Sequence, residues 1–173
     1  MRVLIILVLL NALGWGAIDL PTSFSASFEQ IVTNPKKKKL HYSGTLQFSK
    51  ANGLKWIYQK PTKKDVCSDN VRLVVVDHDL EQVSYYKLNK AIKLDKIIQN
   101  AKVLRPGVYT AHYDGKTYTL RVNKENKITQ IAYYDELENM VQIVFKNLKS
   151  NPKDITPSHL QCHTPKAYDT IDG

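Results

Sequence analysis

The stretch GTLQFSKANGLKWIYQKPTKKDVCSDNVRLVVVDHDLEQVSYYKL, residues 44–88, decides the fold. Large apolar side chains fall on alternate positions, and short turn-forming clusters interrupt them. Leu46 and Phe48 alternate with Thr45 and Gln47. Ala51-Asn52-Gly53 then turns the chain. Leu54, Trp56 and Tyr58 resume on one face until Lys60-Pro61-Thr62 ends the run. A period of two marks a strand with one greasy face and one polar face. Residues 71–76 read as a short strand apolar enough to be buried on both faces, 77–79 as a turn, and 82–86 as a further strand. Strands in such a row predict a mainly β fold.

The pattern extends in both directions. Phe24, Ala26 and Phe28 alternate with Ser25, Ser27 and Glu29 before Asn34-Pro35 breaks the run; Leu40, Tyr42 and Gly44 open the next. Downstream, strands are predicted over 108–113, 117–122, 128–134 and 140–145, with 160–165 as a last strand. Asp114-Gly115 and Lys124-Glu125-Asn126 supply hairpin chemistry between them. One segment breaks the period. Over 89–103, Ala91, Ile92, Leu94, Ile97, Ile98 and Ala101 recur at spacings of three and four, which predicts an amphipathic helix ended by Arg105-Pro106-Gly107. The expectation is a single domain over 18–173: an incomplete antiparallel β-barrel, or strongly curved sheet, covering one amphipathic helix.

Residues 1–17 read as a cleaved export signal. Arg2 supplies the positive charge, residues 3–10 are apolar, and Gly14, Gly16 and Ala17 are small. The apolar run is shorter than the roughly 20 residues a spanning helix needs. No cysteine follows for acylation, so a soluble exported protein is expected. Removal of the signal leaves about 155 residues, enough for one core. The net charge is +9, or +8 without Arg2, with lysines scattered except at 36–39. In an exported chain this charge serves solubility or contact with acidic partners and anionic membrane surfaces; no nucleic acid is expected.

Two cysteines, Cys67 and Cys162, sit in segments read as strands. In an oxidising compartment an even pair forms either a disulfide or two free thiols. Sequence leaves both open, because it does not carry the Cα separation. No Gly-x-Ser-x-Gly elbow and no phosphate-cradling loop is present. His159, Cys162 and His163 are close in sequence, but strand alternation points Cys162 and His163 to opposite faces, so no metal site is expected. Asp77-His78-Asp79 reads as turn chemistry rather than acid–base chemistry. The expectation is no enzyme and no cofactor.

The run Ser23-Phe24-Ser25-Ala26-Ser27-Phe28-Glu29-Gln30 is similar to the opening strand of LolA-type periplasmic lipoprotein carriers. Gly44-Thr45-Leu46, Leu54-Lys55-Trp56, Gln59-Lys60-Pro61, Ser68-Asp69-Asn70, Asp79-Leu80-Glu81-Gln82-Val83 and Thr164-Pro165-Lys166 continue the resemblance. It implies a periplasmic monomer with an acyl-chain cavity under a helical lid. Such carriers receive triacylated lipoproteins from an ATP-driven (ABC-type) inner-membrane exporter and pass them to an outer-membrane acceptor. A carrier of another lipid or glycolipid on the same fold is the alternative. The implied cavity lining is Leu46, Phe48, Leu54, Trp56 and Tyr58 from the sheet, with Ile92, Leu94, Ile97 and Ile98 from the helix. From the residues alone the same set reads as an ordinary filled core.

Two departures from the family pattern matter. About five residues separate the expected cleavage site from Ser23, which leaves no room for the usual N-terminal lid helix. The lid is thus expected to consist of the 89–103 helix. The family's latch arginine is replaced here by Lys50, and the following proline by Ala51. Lysine is a point charge without a planar fork and holds a lid less rigidly.

Overall fold

Among the described residues, alternation of apolar and polar side chains builds twelve strands that hydrogen-bond into one sheet. The computed structural model describes residues 17–87 and 93–172. The strands are β1 (Ser23–Thr33), β2 (Lys39–Ser49), β3 (Gly53–Lys60), β4 (Lys64–Ser68), β5 (Arg72–Asp77), β6 (Gln82–Lys87), β7 (Ala101–Arg105), β8 (Val108–Tyr113), β9 (Lys116–Val122), β10 (Ile128–Tyr134), β11 (Met140–Ser150) and β12 (Asp169–Asp172). A short helix, α1 (Leu94–Gln99), lies between β6 and β7. The sheet order is β12-β6-β5-β4-β3-β2-β1-β11-β10-β9-β8-β7. Every pairing is antiparallel except that of β12 with β6.

The sheet curls without closing. β7 and β12 are its two outer edges, so the barrel is incomplete. Trp56 on β3 and Phe145 on β11 are three strands apart, about 14 Å along a flat sheet. Their ring centroids are nevertheless 6.2 Å apart. Only a strongly concave surface brings them that close. The concave face collects Phe24, Phe28, Leu46, Phe48, Tyr118, Leu120, Ile131, Ile143 and Phe145 into the core, and α1 packs Leu94 and Ile97 against it.

Three expectations require correction. Of the helix predicted over 89–103, residues 89–92 lie outside the described residues; the described part holds the six-residue α1, and residues 101–103 belong to strand β7. Asn100 ends the helix, its Nδ2 donating to the Lys96 carbonyl at 2.8 Å. β7 then pairs with β8, so backbone pairing overrides the helical spacing that Ala101 also satisfies. The strand expected over 160–165 is absent. A 3₁₀ turn spans Ser158–Leu160, and the last strand is Asp169–Asp172. Pro157 and Pro165 lack the N–H that a ladder needs. Finally, the strand read over 71–76 as doubly buried has Leu73, Val74 and Val75 half-buried and Val71 exposed.

Residues 157–172 run along the outer face of β3–β6. Strand alternation turns Cys67, Val76 and Val83 to this face, where all three are buried. Cys67 is joined to Cys162 by a disulfide with a Cα–Cα distance of 5.7 Å. Leu160 is buried beside it, Lys55 Nζ donates to the Gln161 carbonyl at 3.0 Å, and the Tyr168 hydroxyl meets His78 Nδ1 at 3.3 Å.

At the end of β5, Asp77 is buried and lies 2.8 Å from Lys64 Nζ. Burial raises the cost of its charge. Lys64 and the backbone N–H groups of Leu80 and Asp79 outweigh that cost and hold the carboxyl below its usual range. A depressed folded value means stability that is complete above the unfolded carboxylate range, near about 4, and is lost as pH falls through the lower folded value. Asp77→Asn is therefore expected to flatten the acid limb of stability against pH. Urea midpoints measured from neutral to acid pH check this, and an acid limb identical to that of the unmodified chain would count against it.

Candidate functional site: a concave apolar face

The concave face has a packed half and an open half. Under α1 and across β8–β11, β1 and β2, side chains interdigitate and exclude water. Toward β3 the same face loosens: Leu54, Trp56 and Tyr58 are half-buried. Cross-strand register carries the face further. Val66 lies opposite Trp56, Val75 opposite Val66, and Leu73 opposite Ser68, with Tyr86 opposite Leu73. Val66, Leu73, Val75 and Tyr86 are all half-buried. A filled core would bury these side chains fully. Here one continuous apolar strip on the inner wall of a half-barrel retains access to solvent.

Aromatic rings line the boundary between the halves. Phe28 stands edge-on to Trp56 at 4.8 Å and to Tyr58 at 5.1 Å, and Tyr42 meets Tyr58 at 5.9 Å. The Tyr58 hydroxyl donates to Gln30 Oε1 at 3.1 Å. Burial, and next Tyr42, push the Tyr58 phenol up to about 12. Tyr133 is also pushed up, first by burial and then by Tyr58, Tyr118 and Asp135. Both stay neutral, so the face carries polar handles without charge. These tyrosines sit at the end of the half-barrel where β1 and β3 finish. The opposite end is closed by Ile18 and Leu20, which pack on the core while the Asp19 N–H donates to the Asn126 carbonyl at 2.9 Å.

The described members of the expected lining lie together on this face. Leu46, Phe48, Leu94 and Ile97 are buried in its core; Leu54, Trp56, Tyr58 and Ile98 are half-buried against it. Ile92 falls outside the described residues. The expected lining omitted Phe24 and Phe28, the inner residues of β8–β11, and Val66, Leu73, Val75 and Tyr86. Alternation marks Phe24, Phe28 and the β8–β11 residues as well as it marks Leu46. Leu73 and Val75 were hidden because residues 73–76 are apolar throughout and alternate with nothing polar.

An arrangement of this kind offers a concave apolar wall with room along one side. The family profile described as "Outer membrane lipoprotein carrier protein LolA" matches residues 21–101. A Campylobacter jejuni protein named outer-membrane lipoprotein carrier protein is 36% identical over 156 residues, 90% of each chain. The chain belongs to this family. A Helicobacter pylori (strain J99) protein of the same name is 31% identical over 144 residues, covering 83% of this chain and 76% of its own. A crystal structure of an uncharacterized conserved protein from Thermus thermophilus shares the fold, with a TM-score of 0.57 at 11% identity, over 89% of this chain and 92% of that one.

Against the expected family latch, Lys50 lies just after β2 at the end closed by Ile18 and Leu20. It is exposed, and its backbone N–H donates to the Thr22 carbonyl at 2.9 Å. Its side chain makes no hydrogen bond or ion pair among the described residues. A second cleft, of about 510 Å³, opens on the outer face between β4–β6 and residues 157–164. Its lining mixes Asn52, Asp69, Arg72 and Gln161 with Val74, Tyr85 and Leu160.

Proposed function

We propose that this protein is a periplasmic chaperone that shields the acyl chains of lipoproteins on its concave face. It carries them from an inner-membrane ABC-type exporter to an acceptor at the outer membrane. The observation that carries the reading is the half-open apolar strip from Leu54, Trp56 and Tyr58 to Tyr86, in a chain of the lipoprotein carrier family. An acyl chain in water costs about 0.8 kcal/mol per exposed CH₂, so a carrier needs a concave apolar wall of this kind. Exchange between bilayer and cavity is nearly neutral, because both are apolar. Direction then comes from the donor and the acceptor, and the wall must fill and empty readily. On this reading α1 is the moving lid, since cargo must displace side chains already resting on the wall. Residues 1–17 are the cleaved signal, and Lys50 is a weakened latch.

Tagged mature protein recovered from its native periplasm, with the bound material identified by mass spectrometry, tests this. Several different triacylated lipoproteins are expected. A free lipid or glycolipid with no lipoprotein would overturn the carrier reading while leaving the fold intact.

The two tryptophans of the chain are Trp15 and Trp56, so a chain beginning at Ile18 reports from Trp56 alone. A synthetic triacylated lipopeptide is expected to shift Trp56 emission to shorter wavelength. Leu54→Glu puts a charge on the same wall and is expected to weaken binding at least about tenfold. Binding of the lipopeptide with no change in Trp56 emission would move the site elsewhere.

A further inference from the structure

We propose that the open end of the half-barrel docks on an anionic phospholipid bilayer through the lysines of two neighbouring hairpins. This deepens the carrier reading, because it assigns the surface on which cargo is exchanged. Lys36, Lys37 and Lys38 occupy the β1–β2 turn, Lys39 opens β2, and Lys60 and Lys63 flank the β3–β4 turn. All six are exposed, and none lies within 4.0 Å of a carboxylate among the described residues. The β1–β2 turn is held in shape by Asn34, whose Oδ1 accepts from the Lys38 N–H at 2.9 Å while its carbonyl accepts from Lys37. The lysines therefore sit on a built hairpin.

Register gives the hairpin its reach. β2 meets β3 only from Ser43 onward, where Ser43 pairs with Lys60. Four residues of β2, 39–42, extend past the end of β3, which is about 13 Å at strand rise. Leu40 on this projection is 56% exposed, an apolar residue among lysines. That is the composition of a segment resting in a headgroup layer. The neighbouring β10–β11 turn carries Asp135, Glu136 and Glu138, with Glu136 held by Lys116. Asp79 faces the β3–β4 turn, where its Oδ2 accepts from the Lys63 backbone N–H. The end is thus polarised, and its β1–β4 side is the one that meets negative charge.

The cavity supports the same orientation. The opposite end of the concave face is plugged by Ile18 and Leu20, whereas this end is lined by Tyr42, Tyr58 and Tyr133. Neutral tyrosines, with apolar rings and hydroxyl tips, suit the boundary between headgroups and hydrocarbon. Docked this way, the apolar strip opens toward the bilayer, and an acyl chain crosses with little exposure to water.

Flotation of the cargo-free protein with vesicles tests the proposal independently of lipoprotein carriage. The vesicles are phosphatidylcholine, alone or with about a third phosphatidylglycerol. Binding to the anionic vesicles is expected, with loss in high salt. Replacing Lys36, Lys37, Lys38 and Lys39 together by glutamine is expected to weaken binding at least about tenfold. Replacing Lys124, Lys127, Lys149 and Lys153, near the opposite end, is expected to leave it close to unchanged. No binding by the unmodified chain, or equal losses in the two variants, would overturn the proposal. Retained vesicle binding without recovered lipoproteins would instead sink the carrier reading alone.

Discussion

Removing the Cys67–Cys162 bridge is expected to cost about 4–5 kcal/mol of folding stability, by the loop-closure entropy of a long cross-link. The two cysteines are 95 residues apart in sequence, so the bridge removes much of the freedom of the unfolded chain. It acts in the native state as well. Residues 157–172 rest on the outer face through Leu160, the Lys55–Gln161 bond, the Tyr168–His78 contact, the Asp169 N–H to the Glu81 carbonyl and the four residue pairs of β12 with β6. These are few attachments for that length of chain. Without the bridge, the segment is expected to open before the sheet does and to expose Val76 and Val83. Urea unfolding of Cys67→Ala/Cys162→Ala, beside the unmodified chain with and without dithiothreitol, measures both effects. A loss under about 1 kcal/mol would mean that the cross-link constrains an already structured unfolded state.

That bridge also marks where sequence reading stops. Residues 160–165 carry no regular structure beyond the end of the 3₁₀ turn, and nothing local in them specifies the partner of Cys162. Their position is set from a distance, by Cys67 on β4 and by the pairing of β12 with β6. The strands are the opposite case. In β1, β2 and β3, apolar residues at every second position meet good turn chemistry at Asn34-Pro35 and Ala51-Asn52-Gly53. Each local preference agrees with the final sheet there, so the elements are legible.

Residues 101–103 illustrate the intermediate situation. Ala101 satisfies helical spacing after Leu94, Ile97 and Ile98, yet the chain leaves the helix at Asn100 because β8 offers a backbone ladder. The candidate site was legible to the same degree as the elements carrying it. Alternation locates Leu54, Trp56 and Tyr58 on one face. It does not reveal that this face is only half covered, because coverage depends on where α1 and the far strands come to rest.

Gly44→Ala is expected to be among the most damaging single substitutions in the sheet, at about 3–5 kcal/mol. Gly44 lies in β2 beside the register shift between Ser43 and Gly44 in the pairing with β3. A methyl group there would overlap the backbone carbonyl oxygen of Ile57 and come within 3.0 Å of Phe28 Cε1. The first obstacle is backbone, which no rotamer change removes, so β2 and β3 must separate. The second reaches the site. Phe28 lies over Gly44 as its cross-strand partner, and this close approach lets its ring touch both Trp56 and Tyr58. Displacing Phe28 moves the aromatic boundary between the packed and open halves of the concave face. The variant is therefore expected to lose stability and lipopeptide binding together. Thr45→Ala, at an exposed position on the same strand, is expected to leave both close to unchanged. Urea midpoints and Trp56 emission, measured on both variants, separate the two effects. A Gly44→Ala chain of unaltered midpoint would show that β2 and β3 can part at this point without cost.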